Sequence, residues 1–302
     1  MSSRRSRSSR SPQPPPPPRT DVLENMRVLN QSDANPFHTP DIPPTSRTFR
    51  VVAFSFNLAM FMLESPRGND ALLSTGNGIW NVFGRRQRRT TIFQGDESTM
   101  PAFVNKFLAK CRADPPTIIV SDRITGEGLA ERVDWQNVHG AKEDVYSAKW
   151  AALFRLNKTV INNAILAAED NDKEDFHKFL FLLSVSVAHE LVHLFVGFML
   201  GDSGRSTPAE INHPAGQAGS QRLGESGRYW EGKFLGHCVE AFYDETHPRG
   251  LNQPGIFYTN AHTGRGFKVD HRSIEDYLKL KFAYQIGLVA DRGGKGSGPS
   301  RA

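Results

Sequence analysis

The sequence predicts an α+β fold in which a small mixed sheet, drawn from residues 50–160, packs on one long helix and a helical C-terminal part follows. Three observations predict it. From Lys173 to Leu200 there is no Pro, and no Gly before Gly197, in a run dominated by Leu, Val, Phe and Ala. That composition belongs to a helix buried on all sides. Upstream, short β-branched runs are mixed with helical spacings, the pattern of a mixed fold. Downstream, apolar residues recur every fourth position over 224–245.

The ends of the chain read differently. Hydrophobic residues make up 38% of the 302, which can fill a core while leaving some of the chain unfolded. Residues 1–20, "MSSRRSRSSRSPQPPPPPRT", are nearly all Ser, Arg and Pro and cannot bury enough apolar surface to offset their ordering entropy. Residues 21–46 read as an extended lead-in. The expected organisation is a disordered arm over 1–45, a single domain over 46–290 and a loose Gly/Ser-rich tail over 291–302. The proline run suits polyproline II and an SH3- or WW-type partner.

Charge follows the same division. The formal net charge is +5, and the five Arg of residues 1–20, with no acid among them, account for all of it. The tail adds a further +2, so residues 21–290 sit near −2. The pI near 9.2 therefore marks the ends of the chain, and no specific nucleic-acid face is expected. "GRRQRR", with Arg85, Arg86, Arg88 and Arg89, reads as a solvated loop. Two cysteines, Cys111 and Cys238, form no CxxC pair and no disulfide framework, which points to a reducing compartment, cytoplasmic or nuclear.

The elements follow in order. "VVAFSFNLAMFML" (51–63) is a buried strand or short helix. "PAFVNKFLAKCRA" (101–113) has helical spacing, with Pro101 suited to a first turn. "TIIVSD" (117–122) is a strand. "AALFRLNKTVINNAI" (151–165) alternates as a strand. The long helix over 173–200 has acids at its start, favoured by the helix dipole, and stops at Gly201. Residues 201–222, rich in Gly and Pro, form a loop. A second helix spans 224–245, with Trp230, Phe234, Cys238 and Phe242 on one face. "GIFYTN" (255–260) and "GFKVD" (266–270) pair as strands around "AHTGR". A last helix covers 273–286, with Ser273 and Asp276 set as a capping box.

Inside the long helix lies "HELVH". His189 and His193 are four apart, hence on one face, about 40° apart and one turn along. Two imidazoles so placed can bind one Zn²⁺, for which His nitrogen is a favoured donor. Glu190 is turned far enough around the helix to miss the metal and reach a water upon it, as a general base must. Polar groups in so apolar a stretch need partners, and one metal satisfies both histidines. The run 179–200 is also long enough to cross a bilayer. No second span accompanies it, so a buried helix is expected and no membrane.

A catalytic zinc site wants a third protein ligand. Downstream candidates are His213, Glu225, Glu231, His237 and Glu240. Glu225 is preferred, because "GESG" sets it among small residues that allow close approach to the histidine helix. Glu231 and Glu240 read as outer or surface residues, and His213 as a loop residue.

"HELVH" followed by "GESGRYWE" resembles the zincin metallopeptidases, and more narrowly the gluzincins, with some SprT-like character in "SGRYW". The resemblance covers residues 185–240. It implies a zincin-like fold, one zinc per chain on His189, His193 and Glu225, and Glu190 as general base. It implies hydrolysis of peptide bonds in a peptide or protein substrate. The 31 residues between His193 and Glu225 depart from the usual short spacing. The transition-state stabiliser stays open among Tyr229, Tyr243, His237 and His262. The rival readings are a non-catalytic, zinc-stabilised binding or scaffold protein and a membrane-anchored one spanning at 179–200.

Overall fold

The structure, a computed structural model, describes residues 25–31, 39–87, 91–132, 143–201, 207–213, 224–260 and 266–289. Its first sheet holds four strands in the order β1 (Val28–Gln31), β2 (Thr117–Ser121), β4 (Ala152–Asn157), β3 (Gly128–Arg132). β1, β2 and β4 are parallel, and β3 runs antiparallel to β4 at the edge. The fold is thus α+β with a small mixed sheet. β2 is buried at every residue and β4 alternates buried with half-buried, the patterns of a doubly covered strand and its neighbour.

β1 falls within the segment read as an unfolded arm. Met26, Val28 and Leu29 are buried, and Val28 pairs with Ile118. The boundary at residue 46 is therefore corrected: folded chain is present from Asn25. Residues 1–24, with the proline run, and the tail 291–302 lie outside the described residues.

Among the described residues between β1 and β2 stand three helices. The 51–63 run belongs to α1 (Arg47–Glu64), an 18-residue helix. Ser46 caps it, its hydroxyl accepting from Phe49 N at 3.1 Å. α2 (Pro66–Gln87) was not foreseen. It closes with residues 84–87, so Arg85 and Arg86 are helical and not in a loop, while Arg88 and Arg89 lie outside the described residues. Interior glycines weaken its sequence signal. One of them is required: a Cβ on Gly68 would sit 1.8 Å from Met62 O. α3 (Met100–Ala113) has Pro101 in its first turn as expected.

β4 gives way directly to α4 (Lys158–Glu169), where Asn157 Oδ1 accepts from Thr159 N at 2.9 Å. The strand-like alternation of 151–165 therefore stops at Asn157. α5 (Lys173–Leu200) follows with the expected bounds. The Asp172 side chain accepts from Asp175 N at 3.2 Å, and Gly201 ends the helix at φ 71°, the left-handed cap that glycine adopts without penalty. α5 is the one described helix long and apolar enough to cross a membrane. Within its most apolar window, 72% is buried by the rest of the chain.

The segment 224–245 is not one helix. α6 (Ser226–Phe234) ends at Leu235, Gly236 takes φ +86°, and β5 (Cys238–Phe242) begins. Trp230 and Phe234 share a face, their rings 4.7 Å apart, but Cys238 and Phe242 lie on a strand. β5 pairs with β6 (Ile256–Asn260), which pairs with β7 (Phe267–Lys268), all antiparallel. "AHTGR" between the last two lies outside the described residues. α7 (His271–Leu278) is shorter than the expected 273–286. Asp270 caps it, accepting from Arg272 N at 3.3 Å, and Ser273 Oγ accepts from Gly287 N instead. The C-terminal part is thus sheet and helix together.

α1, α4, α6, α7 and β3 pack around α5. Two aromatic groups fix its ends. Phe103 stacks on Phe198 at 4.4 Å, with Phe93, Phe107 and Tyr146 around them. Phe181 meets Tyr277, which meets Phe234. Each such pair contributes about 0.5–1.5 kcal/mol beyond its buried area. The helix carrying "HELVH" is therefore held at both ends.

Candidate metal centre

α5 sets His189 and His193 one turn apart, with ring centroids 5.0 Å and Nε2 atoms 3.2 Å from each other. The chain returns to them at the start of α6. Gly224 N donates to Thr207 O at 3.0 Å and Glu225 N to Ile211 O at 2.8 Å, which fixes the entry to α6. Glu225 occupies the N-cap position, yet its side chain does not cap. Its Oε1 lies 2.5 Å from His193 Nε2 and 3.6 Å from His189 Nε2. One ligand atom from each of His189, His193 and Glu225 lies within 4.8 Å of the others.

The opposite edges of the rings are taken. Glu231 Oε1 is 2.5 Å from His189 Nδ1. A carboxylate only accepts, so Nδ1 carries the proton and Nε2 turns its lone pair inward. Ser226 Oγ is 3.1 Å from His193 Nδ1 and accepts from Thr207 Oγ1 at 3.3 Å. Glu225 Oε1 is buried with no well-formed hydrogen bond. Such donors crowded on one point repel unless a proton or a metal cation lies among them. Two imidazole nitrogens and one carboxylate oxygen are the donors zinc takes, so the residues fit that ion.

Burial pushes His189 down, but the Glu225 and Glu231 carboxylates beside it outweigh that and lift the imidazole to about 10. Burial pushes Glu225 up, and His189 and His193 outweigh it, holding the carboxyl well below its ordinary range. Both shifts favour a positive charge beside Glu225, met by a proton on the imidazole or by a metal ion that takes its place. Close approach of α6 depends on Gly227, where a Cβ would lie 2.4 Å from the His189 ring.

A cleft of about 640 Å³ opens beside the histidines, lined among others by Glu127, Glu190, Arg228, Glu231, Glu240 and Tyr243. Glu190 is not among the converging donors. Its Oε2 accepts from Ala130 N on β3 at 2.9 Å, which ties the carboxylate to the edge strand at the cleft wall. Arg228 pairs with Glu240 at 3.2 Å.

The remaining candidates fall elsewhere. His213 packs against Gly232, where a Cβ would meet its ring at 2.2 Å. His237 is half-buried, and burial lowers its pKa; neither histidine joins the converging group among the described residues. Tyr229 hydroxyl bonds to Ser74 Oγ at 3.2 Å, and Tyr243 borders the cleft. His262 lies outside the described residues. Glu231, read as an outer or surface residue, is 5% exposed and holds His189. Its place six residues after Glu225 on an amphipathic helix was the signal available. Thr207 and Ser226 were not singled out, and a Thr in a turn-rich segment carries no signal of such a role. No protein-family model, curated protein or solved structure matches the chain.

Proposed function

We propose that this chain is a zinc-dependent peptidase of the HExxH, zincin type. The observation that supports the reading is the convergence of His189, His193 and Glu225 beside a cleft that His189 and Glu190 line. His189, His193 and Glu225 would hold the ion, with Glu231 and Ser226 orienting the two rings. When bound, zinc supplies Lewis-acid polarisation of a carbonyl and acidifies a water.

The chain's own residues do the rest. Glu190 takes the proton of the attacking water and passes it to the leaving amine. The Ala130 N–H holds that carboxylate in place before substrate arrives. β3 has no strand partner on its outer side among the described residues, so an extended peptide can lie along it. The cleft walls, acidic apart from Arg228, favour substrates with basic side chains.

The experiment is hydrolysis of a mixed peptide library by the full chain, with zinc content measured in parallel. Chelation is expected to abolish cleavage, and Glu225→Ala to lose both zinc and cleavage. Glu190→Gln is expected to keep zinc and lose about 100-fold or more in rate. Full activity of Glu190→Gln would remove the mechanism. Zinc without turnover in wild type would leave the non-catalytic, zinc-stabilised reading.

A further inference from the structure

We infer that the chain holds a second divalent-metal site of the zinc class, formed by His177, His271 and Glu275. This inference does not rest on the peptidase reading. His177 lies on α5, about 18 Å along the axis from His189 at ~1.5 Å per residue. His271 and Glu275 are one turn apart on α7. One ligand atom from each of the three lies within 4.8 Å of the others.

Glu275 Oε1 is the common point. It is 3.8 Å from His177 Nδ1 and 3.9 Å from His271 Nε2. Donors about 2.1 Å from a tetrahedral zinc stand about 3.4 Å apart, so each histidine needs to close on Glu275 by about half an ångström. The other carboxylate oxygen is engaged, accepting from Lys279 Nζ at 3.0 Å, which leaves Oε1 to point at the histidines. The rings lie nearly parallel, 13° apart in plane and 6.1 Å between centroids.

One imidazole nitrogen supplies an independent observation. His177 Nδ1, a proposed ligand atom, is buried without a hydrogen-bond partner. A buried polar atom left unmatched costs about 1–3 kcal/mol. An ion held at Glu275 Oε1 satisfies His177 Nδ1 directly. The side chains are 29%, 30% and 36% exposed, so an ion has a path in and water can complete its shell. Charges nearby are mixed: Lys279 and Lys173 oppose a cation, while Glu174 faces His271. Such an ion would clip α7, with Tyr277 and the second sheet behind it, onto the amino-terminal half of α5.

The test is metal stoichiometry of the full-length protein, stripped by chelator, refilled with Zn²⁺ and measured by mass spectrometry. Wild type is expected to bind two ions. Glu275→Gln and His271→Asn should each remove one and leave the other dependent on Glu225. In a Glu225→Ala background, added zinc should still raise the melting temperature, and Glu275→Gln should abolish that rise. If Glu225→Ala removes all zinc, or if Glu275→Gln binds as much as wild type, the second site is overturned. Glu275 is partly exposed, so its variant stays informative if His271→Asn fails to fold. A result of one ion lost with Glu275→Gln and untouched by Glu225→Ala would uphold this site and count against the peptidase reading.

Discussion

His189 and Glu231 meet at 2.5 Å through Nδ1 and Oε1, on the side of the ring away from Glu225. The carboxylate sets the tautomer, so the ring offers Nε2 to the same point as His193 Nε2. Removal of Glu231 should weaken the centre without dismantling it. Glu231→Gln is expected to retain zinc with affinity lowered about 10–100-fold. Competition against a chromogenic chelator measures it. Unchanged affinity would mean that His189 is oriented by packing alone.

Gly227→Ala tests how closely α6 lies on that ring. At a helix position free of neighbours, Ala is worth up to about 1 kcal/mol over Gly. Here the added methyl would lie 2.4 Å from the His189 ring, and overpacking costs about 1–3 kcal/mol. The expected sign is destabilisation by urea unfolding, with zinc affinity reduced in parallel. A stabilised variant with normal zinc would show that α6 stands further from α5.

The cleft charge has a consequence for substrate choice. Glu127 and Glu240 line its wall, and Arg228 is already paired with Glu240. Peptides bearing Lys or Arg around the scissile bond should be cleaved faster than their Asp or Glu counterparts. The preference should shrink with added salt, which screens exposed charges, and in Glu127→Gln. Competition between paired fluorogenic peptides at low and high salt reads the ratio; indifference to charge would assign specificity to shape.

Both thiols are buried, Cys111 fully and Cys238 nearly so, and no disulfide joins them. Burial pushes each thiol well above its ordinary pKa, so the thiolate needed for reaction is scarce. A thiol reagent at neutral pH is expected to label neither in the native protein and both in denaturant. Rapid native labelling of Cys238 would mean that β5 opens readily from α6.

Legibility in the sequence followed the length and regularity of each pattern. α5 could be bounded from residues alone, because an unbroken apolar run, an acidic first turn and Gly201 all agree. The His189–Glu190–His193 spacing needed only the helical repeat. α2 was hidden by glycines that serve close packing, since the reason for Gly68 is Met62, a contact no local propensity reports. The 224–245 periodicity misled because Trp230 and Phe234 share a helix face while Cys238 and Phe242 reach the core from a strand. Both geometries bury apolar residues, and a spacing of four is compatible with each.

The sequence by itself determined that two imidazoles, His189 and His193, stand one turn apart on α5 with the Glu190 carboxylate beside them. Tertiary structure alone decided the rest. It brought Glu225 across a long connection to His193, turned Glu231 onto His189, and set the Ala130 N–H against Glu190. It also joined His177 to His271 and Glu275 from helices far apart in the chain. Helical periodicity acts over a few residues and is written locally. Convergence of donors from separate elements depends on how the core packs, and that is a property of the whole chain.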